Sequence, residues 1–309
     1  MKSFIKKSIF ISMPLIVLLI VLEFLLQNIP NDYSYKKTYL DQHASEIETL
    51  ILGSSHTYYG LNPIYFTSST FNASHISQSY NYDLAIFKKK LFDFKNLKTV
   101  ILPLSYFSLY GKLEEGSESW RVKNYVLYYG FDNFKSISAH SEVLSHEFKI
   151  NVERMLSYYR YKNSAITCSK LGWGVRDEFL KQDDLNESGV SGALRHTQEN
   201  LDNVDTKKIF TENLLIMQAF INECRTHHIK LIFITLPAYK SYREHLNSKQ
   251  LNLTLQTAAN FDKTNENVIY LNFLYDSRFI SDDFQDADHL SAKGATKLSK
   301  IVNNIIVHP

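Results

Sequence analysis

Cysteine is almost absent from the chain, with two residues in 309. That excludes a disulfide scaffold and a thiolate zinc centre. Cys168 and Cys224 fit no metal-ligand spacing, and Cys224 falls on the apolar stripe of an expected helix, where it reads as a small buried residue. A disulfide between the two stays open at this point. Glycine (10) and proline (6) are also scarce, so a collagen-like or low-complexity chain is excluded. No charge sign dominates: 34 basic residues against 32 acidic leave a formal net charge of +2. The run Lys88-Lys89-Lys90 reads as a solvated helix face, and no nucleic-acid partner is expected. There is no internal repeat. What is there is 44% hydrophobic and 14% aromatic, enough for one large core with an appended subdomain.

The longest apolar run comes first. Lys2, Lys6 and Lys7 precede a stretch from Ile9 to Leu26, interrupted by Ser12, Pro14 and Glu23. Roughly 20 such residues cross a bilayer. The lysines before the run favour a cytoplasmic N-terminus. No small-x-small pattern follows, since Glu23-Phe24-Leu25-Leu26-Gln27 is bulky, so an uncleaved anchor over residues 1–27 is preferred to a cleaved signal peptide. Glu23 sits near the outer end of the run, within reach of the interface. The expectation is a single-pass protein of the cell membrane with the rest of the chain on the extracytoplasmic side. Residues 28–45, polar with scattered tyrosines, read as a tether, and a domain follows over 46–309.

Within 46–309 strands and helices alternate. Ile47–Leu52 reads as a strand and Phe71–Ile76 as a second short one. Tyr80, Leu84, Phe87, Leu91 and Phe94 have helical spacing. Thr99–Leu104 and Lys230–Leu236 are continuous apolar runs, as expected of strands buried on both faces of a parallel sheet. Phe210, Leu214, Met217, Ile221 and Cys224 mark another helix, Tyr242–Phe261 a weaker one, and Val268–Leu271 a last strand. Leu298, Ile301, Val302, Ile305 and Ile306 define a terminal helix. The rhythm lapses between about 110 and 205, where aromatics cluster and glycines suggest loops. This segment reads as an insertion over the sheet, a candidate cap. The predicted class is an α/β domain with a parallel sheet and helices on both faces.

Two short stretches carry chemistry. Gly53-Ser54-Ser55-His56 follows the first strand, where a tight turn into a helix can present a hydroxyl as a nucleophile. The same residues also suit a plain strand-to-helix turn with Ser55 as N-cap. Asp286-Ala287-Asp288-His289-Leu290-Ser291 precedes the terminal helix. Imidazole as a class titrates near neutrality, so a histidine at position 289 has the chemistry to deprotonate a serine. Asp286, three residues earlier, can fold back on the other ring nitrogen and fix the tautomer. Asp288 is its rival. Ser291 is a plausible cap for the helix.

Together these blocks resemble the SGNH/GDSL hydrolase superfamily from about residue 46 to the C-terminus. Gly53-Ser54-Ser55 is similar to its first block and Asp286-Ala287-Asp288-His289 to its last. The resemblance implies a three-layer α/β/α, flavodoxin-like domain without metal or organic cofactor, in which Ser55 is the nucleophile, His289 the base and Asp286 its orienter. The anchored arrangement resembles the cell-envelope branch that handles acyl groups on polysaccharides and teichoic acids, including alginate O-acetylation and D-alanyl-lipoteichoic acid biosynthesis proteins. It implies an esterase or O-acyltransferase acting on acyl, above all acetyl, esters of an envelope carbohydrate, with a membrane acyltransferase as a possible partner. The match departs from the family at three places. Ser54 stands where the family has aspartate. The Gly-x-Asn-Asp block is absent after Pro103, leaving Ser105 as a hydroxyl substitute for the oxyanion donor. Asn72-Ala73-Ser74 approximates the second block only loosely, with Asn72 as a donor candidate beside the backbone N–H of Ser55. A fold that keeps the scaffold with a weak or lost oxyanion hole is the competing expectation. Ser54 and His56 are expected to line the pocket, His75 to be structural, and Tyr239, Arg195 and His196 are unassigned.

Overall fold

The structure, a computed structural model, describes residues 2–131, 136–175 and 182–308, with side chains from Phe10 onward. In chain order the main elements are α1 (Lys2–Gln27), α2 (Asp32–His43), β1 (Thr49–Ile51), α3 (Ser55–Gly60), β2 (Thr70–Asn72), α4 (Tyr80–Lys90) and β3 (Thr99–Pro103). There follow α5 (Val122–Leu127), α6 (Glu142–Ser145), α7 (Phe148–Met155), α8 (Leu185–His196), α9 (Val204–Thr226) and β4 (Lys230–Thr235). The chain ends with α10 (Lys240–Glu244), α11 (Ser248–Thr264), β5 (Val268–Asn272), β6 (Phe284–Asp286), β7 (His289–Leu290) and α12 (Ala292–Val307). These divide into two units, one of Met1–Thr38 with Ser117–Thr167 and one of Tyr39–Gly116 with Cys168–Pro309.

The larger unit is built on a five-stranded parallel sheet of order β2-β1-β3-β4-β5. β3 and most of β4 are buried along their length, which is why their sequences are apolar without alternation. Side chains alternate across the pleat. On one face Ile51, Ile101, Ile232 and Ile234 pack with Leu298 and Val302 of α12. On the other, Phe233 meets Phe261 of α11, and Phe87 of α4 stacks on Phe220 of α9. Helices on both faces of a sheet in this order give the expected three-layer flavodoxin-like α/β fold. The strand order reverses between β1 and β3, and in such sheets the crevice beyond the strand ends at that point is where ligands sit.

The smaller unit joins α1 to α5, α6 and α7. Glu23, on the last turns of α1, accepts hydrogen bonds from Ser141 Oγ (2.6 Å) and the backbone N–H groups of Glu142 (2.8 Å) and Val143 (3.0 Å). Glu142 in turn pairs with Lys123 and Arg154 and accepts the Tyr128 hydroxyl.

Two expectations are corrected. The 28–45 stretch is not an open tether: Asp32–His43 is helical, started by Asn31, whose Oδ1 accepts the N–H groups of Tyr33 (3.0 Å) and Ser34 (3.1 Å). The 110–205 segment is not one insertion either, since residues 117–167 belong to the smaller unit and 168–205 to the larger. Residues 132–135 and 176–181 of that segment lie outside the described residues. Cys168 and Cys224 are not joined by a disulfide.

Candidate active site

β1 ends at Leu52, and the chain turns into α3 through Gly53. Gly53 has φ 112°, and a Cβ there would lie 2.1 Å from Pro103 Cγ, so only glycine fits the turn. The Gly53 N–H donates to Asp83 Oδ1 (2.7 Å), which also accepts from Gln78 Nε2 (2.6 Å), and the Gly53 carbonyl accepts from the His75 N–H (3.1 Å). Burial pushes the Asp83 carboxyl up to about 7 against the pull of these two donors. Thr57 Oγ1 donates to the Leu52 carbonyl (2.8 Å). The turn is therefore held from β2, α4 and its own helix. Ser54 is the N-cap of α3 and Ser55 its first residue.

The histidine comes from the β6–β7 hairpin, in which Asp286 and His289 are cross-strand partners. Asp286 Oδ1 accepts the backbone N–H groups of Asp288 (3.1 Å) and His289 (2.8 Å). Ser291 caps α12 by accepting the Gly294 N–H (3.2 Å) and donates to the Asp282 carbonyl (2.9 Å). The Tyr239 N–H binds the Ala287 carbonyl (2.8 Å). So braced, His289 places Nδ1 at 2.9 and 3.0 Å from the two Asp286 oxygens and Nε2 at 2.8 Å from Ser55 Oγ. Ser55, His289 and Asp286 keep partial exposure. The arrangement can move a proton from Ser55 Oγ to Nε2 while the carboxylate holds the imidazolium.

A second cluster lies beside it. Asp288, 4% exposed, has Oδ2 at 3.6 Å from His56 Nε2, 3.6 Å from His196 Nδ1 and 3.5 Å from Arg195 Nη2, with Oδ1 3.6 Å from His289 Nδ1. Burial pushes the Asp288 carboxyl up, but the imidazoles of His289, His56 and His196 outweigh it and hold the group well below the usual carboxylate range. Burial lowers His56, and pushes His196 down to about 3, so both rings are neutral at pH 7. His56 Nδ1 lies 2.9 Å from Ser105 Oγ. The Asp288 carboxylate favours the tautomer with the proton on Nε2, which leaves Nδ1 to accept the Ser105 proton. Phe107 lies against the His196 ring at 4.1 Å and meets His56 edge-on at 5.1 Å. Oxygen and nitrogen atoms of His56, Asp288 and His289 fall within 4.8 Å of one another. His289 has both nitrogens engaged, so two open ligand atoms remain, fewer than a transition-metal centre uses.

The structure thus brings Ser55, His289 and Asp286 into one hydrogen-bonded line and sets His56 at its side. Asp288 lies farther from His289 than Asp286 does and faces the second cluster. The Ser54 hydroxyl is buried without a hydrogen-bond partner, and it is the Ser55 hydroxyl that meets His289. The two side-chain oxyanion candidates are corrected. Asn72 is fully buried, and its Nδ2 donates to the carbonyls of Thr57 and Leu61 (2.9 Å each), while its Oδ1 accepts the Ser74 N–H (3.0 Å). It fastens α3 to β2 and has no proton left for substrate. Ser105 is turned to His56. The N–H of Ser55, in the first turn of α3, has no helical acceptor four residues back and remains a donor. His75 is buried, with its backbone on Gly53, and Tyr239 braces the hairpin. Sequence reasoning left Arg195 and His196 unassigned because no spacing ties them to Asp288; α8 brings them there.

No family model matches the chain, and no curated protein matches it. Among solved structures it is similar to a putative acylhydrolase from Bacteroides fragilis (11% identity, 87% of this chain and 94% of that chain, TM-score 0.41). It is similar to a GDSL-like lipase from Bacteroides thetaiotaomicron (11% identity, 89% and 98%, TM-score 0.42). A third is a putative platelet activating factor from Streptococcus pneumonia (10% identity, 96% and 98%, TM-score 0.43).

Proposed function

We propose that this chain is a serine acyl hydrolase or O-acyltransferase that cleaves carboxylic esters through Ser55, His289 and Asp286. The observation that carries the reading is the single imidazole 2.8 Å from a partly exposed serine hydroxyl and 2.9 Å from a carboxylate. Ser55 Oγ attacks the ester carbonyl carbon as His289 Nε2 takes its proton. Asp286 holds the Nδ1–H and stabilises the imidazolium. The oxyanion turns toward the Ser55 N–H. On collapse His289 returns the proton to the departing alcohol, leaving an acyl-Ser55. Water or a sugar hydroxyl, deprotonated by His289, then takes the acyl group as the bond to Ser55 Oγ breaks and His289 returns the proton to that oxygen. No metal or organic cofactor enters these steps.

The setting belongs to the same proposal. Phe10–Gln27 is a helix long and apolar enough to cross a membrane, with mean hydropathy 2.4, and the lysines before it orient the remainder to the extracytoplasmic side. Its substrate there is an acylated, above all acetylated, envelope carbohydrate, with a membrane acyltransferase as the donor-side partner. A fluorophosphonate probe and p-nitrophenyl acetate test the chemistry on the full chain. Wild type is expected to be labelled at Ser55 and to release nitrophenol. Ser55→Ala is expected to lose both with an unchanged melting temperature; full activity in that variant would sink the assignment. One observation favours a second reading, a weakly catalytic or inactive scaffold of envelope polysaccharide assembly: Asn72 and Ser105 are committed elsewhere. Loss of one oxyanion donor costs roughly 100- to 1,000-fold in rate. Slow labelling confined to Ser55 would mark a weak enzyme, and absence of labelling an inactive scaffold.

A further inference from the structure

The smaller unit carries a helix turned inside out. On α7 the inward residues are polar: Asn151 is buried and donates to the Val143 carbonyl (3.1 Å), and Arg154 pairs with Glu142 (2.8 Å). The outward stripe is apolar. Phe148 is 73% exposed, Leu156 49% and Val152 36%, and Leu144 on the preceding turn is 58% exposed. Positions 148 and 152 on α7, and 156 at the start of the helical turn Leu156–Arg160 that continues it, follow one another at intervals of four and share one face. Lys149 and Glu153 lie on the flank of that stripe. Water selects the opposite arrangement, so something other than water covers this face.

The ties to α1 say what it is. Glu23 binds Ser141 Oγ and the N–H groups of Glu142 and Val143 at the start of α6. Beyond α7, the Tyr159 hydroxyl donates to the Leu25 carbonyl (2.8 Å). Residues 23 and 25 differ by about 3 Å along a helix axis. The segment 141–159 therefore leaves and rejoins α1 at nearly one height, at the outer end of its apolar band, and α7 runs between those two ties. A helix so placed, with aliphatic and aromatic groups outward and charges at its flank, has the chemistry of an interfacial helix.

We propose that α7 lies in the surface of the bilayer that α1 crosses, with Leu144, Phe148, Val152 and Leu156 inserted at the boundary between headgroups and acyl chains. The proposal rests on α1 spanning the membrane. It is independent of the chemistry at Ser55. The bilayer completes the burial that the protein leaves open, and the anchor leaves the membrane through a fixed joint at Glu23.

Site-directed spin labelling of the full chain in phosphatidylcholine–phosphatidylglycerol vesicles tests it. Cys168→Ser serves as background, since the Cys224 thiol is buried and its pKa is pushed up by that burial, which keeps it unreactive. Labels go on Phe148→Cys, Val152→Cys, Glu153→Cys and Leu18→Cys, all exposed positions whose replacement leaves the core intact. Oxygen and a nickel chelate then report depth. Labels at 148 and 152 are expected about 5–10 Å below the phosphates, that at 153 in water, and that at 18 in the acyl chains. Water-like accessibility at 148 and 152, with 18 in lipid, overturns the interfacial helix alone. Spin–spin broadening at 148, showing a second copy on this face, overturns it too. Leu18 in water overturns the anchor reading on which it rests.

Discussion

Asp83 illustrates how a residue outside the triad sets the nucleophile. Its carboxyl holds the Gly53 N–H, two residues before Ser55, and burial raises it to about 7. An unfolded aspartate titrates near 3.9. The folded state therefore binds this proton more tightly. Its contribution is fully present below about pH 4, fades as pH rises toward 7, and is lost above that. Asp83→Asn keeps an oxygen acceptor for Gly53 and Gln78 and removes the titration. Its melting temperature is expected to change less than that of wild type between pH 5 and pH 8, with an advantage at pH 8 on the order of 3–4 kcal/mol at most. Parallel pH profiles for the two proteins would refute this. Nothing in the sequence around Asp83 pointed to Gly53, because the contact joins α4 to the end of β1 across the fold. Asn72 shows the same limit in reverse. A polar residue after a strand was readable as a donor, but its three hydrogen bonds to α3 and Ser74 exist only once β2 lies beside α3. Ser55, His289 and Asp286 were legible because a glycine turn and a three-residue offset are local constraints.

At the scale of elements, the β6–β7 hairpin is short, and its rigidity depends on α12. Ser291, two residues after His289, joins them, capping the helix and donating to the Asp282 carbonyl. Ser291→Ala is expected to lower stability by about 1 kcal/mol. It is also expected to reduce kcat for p-nitrophenyl acetate with little change in KM, since His289 loses orientation and the pocket does not change. A rise in KM at constant kcat would place the role of Ser291 in binding. Elements with one dominant periodicity, such as β3, β4 and α12, were readable from the chain. α2 was not. Its buried positions Tyr33, Lys36 and Leu40 have helical spacing, but a lysine among them breaks the apolar pattern. Gly189 and Gly192 give the sequence of α8 the composition of a loop. In the structure those glycines allow close approach: a Cβ would lie 2.2 Å from Ser241 Oγ at Gly189 and 3.2 Å from Asp288 Oδ1 at Gly192. They are packing signals, and they are what lets α8 carry His196 to Asp288.

At the scale of the whole molecule, the chain crosses between two units three times, and the linear division into anchor, tether and domain could not show it. The segments of the smaller unit find each other through polar groups, which leave no periodic trace in sequence. Glu142 is central to that unit: it faces Lys123, Arg154 and Tyr128, and it is fully buried. Burial pushes the Lys123 ammonium down, and although the Glu142 carboxylate pulls it back up, it settles at about 8. Removing one partner of such a pair leaves an uncompensated buried charge, a loss of about 3–5 kcal/mol. Glu142→Gln does this without changing shape. With the carboxylate gone, Lys123 releases its proton still more readily. The variant is then expected to be most damaged near pH 6, where the unpaired ammonium is charged, and to recover toward pH 9, where it is neutral. Limited proteolysis of the full chain reads this directly. Cleavage within residues 117–167 should accelerate strongly at pH 6 and less at pH 9, relative to wild type. If cleavage there is unchanged at both pH values, the network does not hold the unit together; if it accelerates equally at both, the penalty comes from lost packing and not from the stranded charge.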